Sequence, residues 1–499
     1  MIFKYVGVPY GLLVVLAGAG GLSLPSYFAP LASSDTWKHN FNFALLFGIF
    51  FAPLVGFFVD KLGHQVSLAL ATLLTLITYP LLARYTTDAQ IADENNKVVC
   101  LLLFLAGQGL SLAILSAFKL NLKNHPQAVT FILCALVISY VRFAPEFEQS
   151  FRNTLFKNQT TKAYLTIGGV LSALIFAGGI AALKEVEQQG GAGEFLLAQV
   201  DKMGLMVFVV VAAIFGLFIF IFGFVKAKWS TTVAFSVLLV LINVLVPVLN
   251  MKVVMEKAKD MLKGVKPSMS DLAKMGKSGE DSSCATGLFR PKFFLLLVGY
   301  VVLFGFSSMF IDNLPKITAA VSSVSDKTSR IANWFYFCDF VGRLGGGVMI
   351  GLLGSKVSSY LWGVIFGGCV TLGVIFTVLA TQSGGMLFLA ADLLGFGMGG
   401  LFVLMPIVVL EDNGASSWTS IYGTVGAGAV LGWWGFGYKF FDFFYNKSID
   451  PLAVVSFQKS FGIGIAFSIG ALILMGVAYS IDKKEDESKS SGALGKLPF

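Results

Sequence analysis

Apolar runs of about twenty residues recur along this chain, and no other feature restricts its fold as severely. The hydrocarbon core of a bilayer is about 30 Å thick, so a spanning helix needs about 20 mostly apolar residues. Lipid offers no partner to peptide groups, so each run must hydrogen-bond internally and is predicted to be helical. Eight runs lie near 5–31, 41–60, 66–84, 98–118, 127–147, 162–183, 204–225 and 230–250. Six more lie near 292–312, 331–353, 359–381, 385–410, 417–438 and 457–480. These runs predict an all-α integral membrane protein with about 14 transmembrane helices. The first run is expected to be a retained helix, because it is longer than the apolar region of a signal peptide.

Composition supports this reading. Of 499 residues, 56% are hydrophobic and 13% are charged, about half the charged share of a soluble domain. A water-soluble core of this size could not hide so much apolar surface. The 48 phenylalanines suit helix faces that touch acyl chains. The net charge is +8, but the basic residues lie between apolar runs without a dense block. They read as membrane-orienting charges, and nucleic acid is not an expected partner. Cys100, Cys134, Cys284, Cys338 and Cys369 form no C-x-x-C and no metal-ligand spacing, so no metal or cofactor is expected.

The polar gap at 251–291 carries seven lysines and a Gly/Ser-rich stretch, and reads as a cytoplasmic linker. It divides the chain into a six-helix bundle at 1–203, an extra helix pair at 204–250, and a second six-helix bundle at 292–481. Residues 482–499 follow as a tail. Counting spans outward from the linker puts both termini and the loops at 61–65 and 119–127 in the cytoplasm. The sequons at Asn158 and Asn446 then face outside, as glycosylation sites would. Outside-facing sequons fit the secretory route, ending at the plasma membrane or an endomembrane.

Between the second and third runs stands GFFVDKLGHQ, Gly56 to Gln65. Gly56 lets a neighbouring helix approach, and Gly63 permits a tight turn. Asp60, beside Lys61, can accept from free N–H groups at another helix's N-terminus and pair with nearby cations. The stretch resembles the major facilitator superfamily signature G-x-x-x-D-[RK]-x-G-[RK]-[RK], in which Gly56, Asp60, Lys61 and Gly63 match and His64 and Gln65 do not. The resemblance implies two helical bundles, 12 core helices plus an extra pair before the linker, and a conformational latch at these four residues. Ile311-Asp312-Asn313-Leu314, the GRLGGG run Gly342–Gly347 and Asn124-His125-Pro126 look similar to the nodulin-like, monocarboxylate-transporter-like branch of that superfamily. The branch is functionally diverse, so no substrate follows.

Charges inside apolar runs are costly and mark candidate sites. Asp339 and Arg343, four residues apart, share a helix face and read either as a gate pair that changes partners or as a permanent structural pair. Asp392 is the candidate carboxylate for proton coupling. Arg142, Gln108, Asp312 and Asn313 are candidates for a substrate cavity, with snorkelling or helix–helix hydrogen bonding as the plainer reading of each. Asp312, Lys316 and Lys439 lie near outer helix ends, and Trp433-Trp434 offers either a stacking surface or packing. The expected function is a monomeric secondary transporter that moves a small polar or organic solute by alternating access, with protons as a second expected partner. A non-transporting sensor or scaffold on the same fold is the alternative. An enzyme is not expected, because no nucleophile–base set or phosphate loop stands in a suitable context.

Overall fold

In the computed structural model the described residues are 35–85, 95–124, 161–182, 287–353, 357–380, 383–414, 416–445 and 455–494, with isolated positions between 10 and 25 and at 136. Nine helices among them are long and apolar enough to cross a membrane, and no strand occurs among them. The runs near 127–147, 204–225 and 230–250, and the linker up to residue 286, lie essentially outside the described residues.

Helix α1 (Asp35–Phe50) and α2 (Ala52–Leu62) form one span that bends at Phe51. It is followed by α3 (His64–Arg84), α4 (Asn96–Asn124) and α5 (Thr161–Ala182). Gly63, at φ +83°, makes the turn between α2 and α3. That region suits glycine, so the chain reverses there without steric cost. The second half contains α6 (Pro291–Asp312), α7 (Leu314–Ala320), α8 (Thr328–Leu353), α9 (Ser359–Leu379) and α10 (Gly384–Asn413). Helix α11 (Trp418–Gly432) continues through a π-helical stretch (Trp433–Phe440) into α12 (Phe441–Tyr445). Helix α13 runs from Val455 to Leu494.

Two compact units result. The first is Met1–Ser282 with Asn413–Ala427, and the second is Ser283–Asp412 with Gly428–Phe499. In the first unit α3 packs on α4 and α5, and α1 packs on α4. Leu45, Tyr79, Leu103, Ala106 and Leu165 share its core. At the α1–α4 crossing a Cβ on Gly48 or Gly107 would collide with the opposite backbone, so glycine sets that helix spacing. In the second unit α13 lies against α6 and α9. Outward faces are apolar too: Leu54, Phe57, Leu73 and Leu101 are exposed in the first unit, and Leu352, Leu372, Phe467 and Ile473 in the second. Such patches would drive aggregation in water but suit acyl chains.

Two boundaries differ from the sequence reading. Helix α4 continues to Asn124, so Lys119 is a buried helical residue and not part of a 119–127 loop. Its Nζ finds acceptors in α2, which offset the cost of burying an ammonium. Helix α13 continues past residue 481 to Leu494, where the sequence reading has a tail. Asp482 and Glu485, on successive turns of that extension, both meet Lys292.

Candidate functional site

Asp60 sits in the last turn of α2. Its Oδ1 accepts from Lys119 Nζ at 2.5 Å and from the Thr419 hydroxyl. Its Oδ2 accepts from the Ser420 backbone N–H at 3.0 Å and from the Ser420 hydroxyl. Helix α11 begins at Trp418, so the Ser420 N–H is among those with no acceptor inside the helix. The carboxylate therefore occupies the positive end of the α11 dipole and faces a buried ammonium as well. The Thr419 hydroxyl is shared with the Gly56 carbonyl, 3.1 Å away.

Glycine makes this approach feasible. A Cβ on Gly56 would collide with the Thr419 carbonyl, and one on Gly423 with the Ala52 carbonyl. Here α2 and the start of α11 cross backbone against backbone. Trp418, fully buried, stacks on Tyr422 at 4.7 Å and on Phe118 at 5.9 Å. These rings form an aromatic layer beside the polar cluster. Lys61 is exposed and lies 5.8 Å from the Phe57 ring centroid. The cation on Asp60 thus comes from α4. Sequence reasoning missed Lys119 by assigning it to a loop, and missed Thr419 and Ser420 because they are unremarkable except at a helix start.

In the second unit Asp339 and Arg343 form a bidentate pair, with Nε to Oδ2 at 2.9 Å and Nη2 to Oδ1 at 3.0 Å. Both are buried, and the guanidinium carbon lies 4.3 Å from the Phe402 ring centroid. Helix α8 carries this pair across α10 on glycine: a Cβ on Gly342, Gly395 or Gly399 would collide with the carbonyl of Phe396, Phe335 or Asp339 respectively. Asp392, half-buried on α10, accepts from the Cys338 thiol at 3.4 Å.

At the end of α6 the Asp312 carboxylate accepts from the Trp433 indole N–H at 2.6 Å. The Asn313 side-chain amide donates to the carbonyls of Met309 at 3.0 Å and Gly437 at 3.2 Å. Gln108 donates its amide to the Gly48 carbonyl, which makes it a link between α4 and α1. Arg142, Asn158 and Asn446 lie outside the described residues.

A second charged cluster, unread in the sequence, joins one end of α6, α9, α10 and α13. Lys292 lies 3.1 Å from Asp412, 2.7 Å from Asp482 and 3.0 Å from Glu485. Tyr360 donates to Asp412, and Ser358 donates to Asp482 at 2.6 Å. Arg290 donates to the Asp412 backbone carbonyl. Among the described residues no group of three metal-ligating side chains could hold an ion.

No family model matches the sequence, and no curated protein does. Solved structures do. The major facilitator superfamily proton:xylose symporter XylE, bound to 6-bromo-6-deoxy-D-glucose, is 12% identical, with a TM-score of 0.54 over 95% of both chains. FucP, a major facilitator superfamily transporter in the outward conformation, is 14% identical, with a TM-score of 0.48 over 94% of this chain and 98% of its own. The XylE likeness extends along nearly the whole of both chains, and the shared property is the fold. This chain is an integral membrane protein with the major facilitator fold.

Proposed function

We propose that this protein is a secondary transporter that moves a small polar or organic solute across a membrane by alternating access. The observation that carries the reading is the Asp60 constellation. One carboxylate holds both a buried cation and the free Ser420 amide of a helix start, at a crossing that glycine keeps close. The Asp60 contacts are all polar and reversible, so water can replace them as they break. Gly56, Asp60 and Gly63, with Lys119, then act as a latch. When α11 draws its first turn away from α2, Lys119 stays with Asp60 and keeps the carboxylate from being stranded. Lys61 lies beside the latch and takes part through its charge at the membrane surface.

Asp339 and Arg343 serve this cycle as a charge pair buried in the bundle, and Asp392 is the proposed proton-coupling carboxylate. Asp312 and Asn313 are the proposed solute-binding residues of the second unit, and Gln108 and Arg142 are the candidates of the first. We place both termini in the cytoplasm, with the protein a monomer in the plasma membrane or an endomembrane.

The test is solute uptake into proteoliposomes that contain the purified protein, screened against a radiolabelled metabolite set with and without a protonophore. Accumulation that Asp60→Asn abolishes, while the variant keeps its fold, supports the reading. Absence of flux for every solute, together with solute-dependent capture of a partner by residues 251–286, would replace it with the sensor alternative.

A further inference from the structure

We propose that the solute carries a positive charge, an organic ammonium group seated on Asp312 beside the Trp433 indole. This rests on the transporter reading above and adds a substrate class to it.

The first argument is position. Trp433 stands about 22 Å along its helix from Trp418, and the helix continues about 18 Å further to Tyr445. Trp433 therefore lies part-way along that helical run. Helix α6 ends at Asp312, the last residue of its apolar span, and α7 carries the chain on from Leu314. Asp312 is nevertheless exposed. A carboxylate at the end of a span does not face acyl chains cheaply, so its open side faces water.

The second argument is charge. Among the described residues the Trp433 indole is the recorded partner of Asp312, and it takes Oδ2, which leaves Oδ1 unengaged. Lys316, one turn further on, turns instead to Asp442 at 3.7 Å and to the Tyr445 ring at 4.8 Å. Among the described residues no cation pairs with Asp312, and an indole N–H neutralises only part of its charge.

The third argument is shape. The partner helix is π-helical from Trp433 to Phe440, a wide turn that occurs often at functional sites. Asn313 donates to the Gly437 carbonyl of that stretch and pins it against α6. Just before it, a Cβ on Gly305 would collide with the Gly432 carbonyl, so the two backbones are in contact there. A carboxylate flanked by an indole recognises ammonium groups twice, by charge-assisted hydrogen bonding and by attraction to the ring face. A site for an anion would need the opposite charge, and a site for an uncharged polyol would not need a carboxylate.

The test uses the full chain in nanodiscs and two pairs of probes. Choline is compared with its uncharged isostere 3,3-dimethylbutan-1-ol, and putrescine with butane-1,4-diol. Thermal stabilisation and quenching of tryptophan fluorescence are read together, because only a folded-state ligand raises the Tm. At least one ammonium probe should raise the Tm while its neutral partner does not. Asp312→Asn should weaken that probe at least about tenfold. Trp433→Phe should weaken it less, and Asp312→Glu should restore part of it. The ligand-free Tm of each variant shows whether the fold is kept. Equal response to charged and neutral probes, or an ammonium response unchanged in folded Asp312→Asn, would overturn the inference. Proteoliposome flux separates it from the transporter reading. Uptake of an uncharged solute that ignores Asp312→Asn leaves a transporter and removes the ammonium site. Asp312-dependent ammonium binding without any flux keeps the site and removes transport.

Discussion

Lys119 of α4 donates to Asp60 of α2 at 2.5 Å, and the same carboxylate receives the free Ser420 N–H at the start of α11. Each group answers a cost that the other would otherwise incur. Removing one partner of a buried pair strands a charge, which costs roughly 3–5 kcal/mol. Lys119→Met should therefore lower the Tm markedly. Asp60→Asn/Lys119→Met together should cost less than the two single changes added. Thermal unfolding of the four proteins in one detergent checks this double-mutant cycle.

The glycines of α8 and α10 differ sharply in what surrounds them. A Cβ on Gly395 or Gly399 would strike the opposite backbone, whereas one on Gly345 meets nothing within 4 Å. Gly399→Ala should destabilise by about 1–3 kcal/mol through overpacking. Gly345→Ala should leave stability unchanged or slightly raised. The comparison of Tm values tests whether the seam or the motif as such matters.

The extension of α13 should be structural up to the Lys292 cluster and dispensable beyond it. Truncation after Ile481 removes Asp482 and Glu485 and leaves Lys292 with Asp412. It should lower the Tm, and Lys292→Met should do likewise. Truncation after Lys489 should not. Size-exclusion profiles and thermal unfolding of the three proteins decide the point.

Arg343→Met should be worse than the paired change Asp339→Asn/Arg343→Met, because the single substitution leaves the Asp339 carboxylate buried without its guanidinium. If the pair is a gate as well as a support, the double variant should fold and fail to transport. Uptake and Tm measured side by side separate the two roles.

Much of the fold was legible in the apolar runs, because the bilayer leaves so few alternatives. Gly56 and Gly63 were also legible, as a close approach and a turn, from their spacing around Asp60. The partners of Asp60 were not. Thr419 and Ser420 lie some 360 residues away in sequence, and only the approach of α11 to α2 brings them close. Lys119 misled for a different reason. A lysine at the edge of an apolar run usually marks the interface, and nothing local shows that a carboxylate waits for it inside. The Asp339–Arg343 pair was readable because helical spacing alone brings the two residues together. The Lys292 cluster was not, since it joins the ends of α6, α9 and α10 to a stretch of α13 that the sequence reading took for a tail, and each part alone looks like an ordinary polar boundary.

The account turns on whether the α11 start leaves Asp60 during the cycle. Spin labels at Lys61 and Ser416, both exposed, would report the distance between the end of α2 and the approach to α11 by pulsed electron resonance. The account predicts two distance populations in the wild-type protein, with the longer one enriched in Asp60→Asn. A single distribution, identical in wild type and Asp60→Asn, would contradict it.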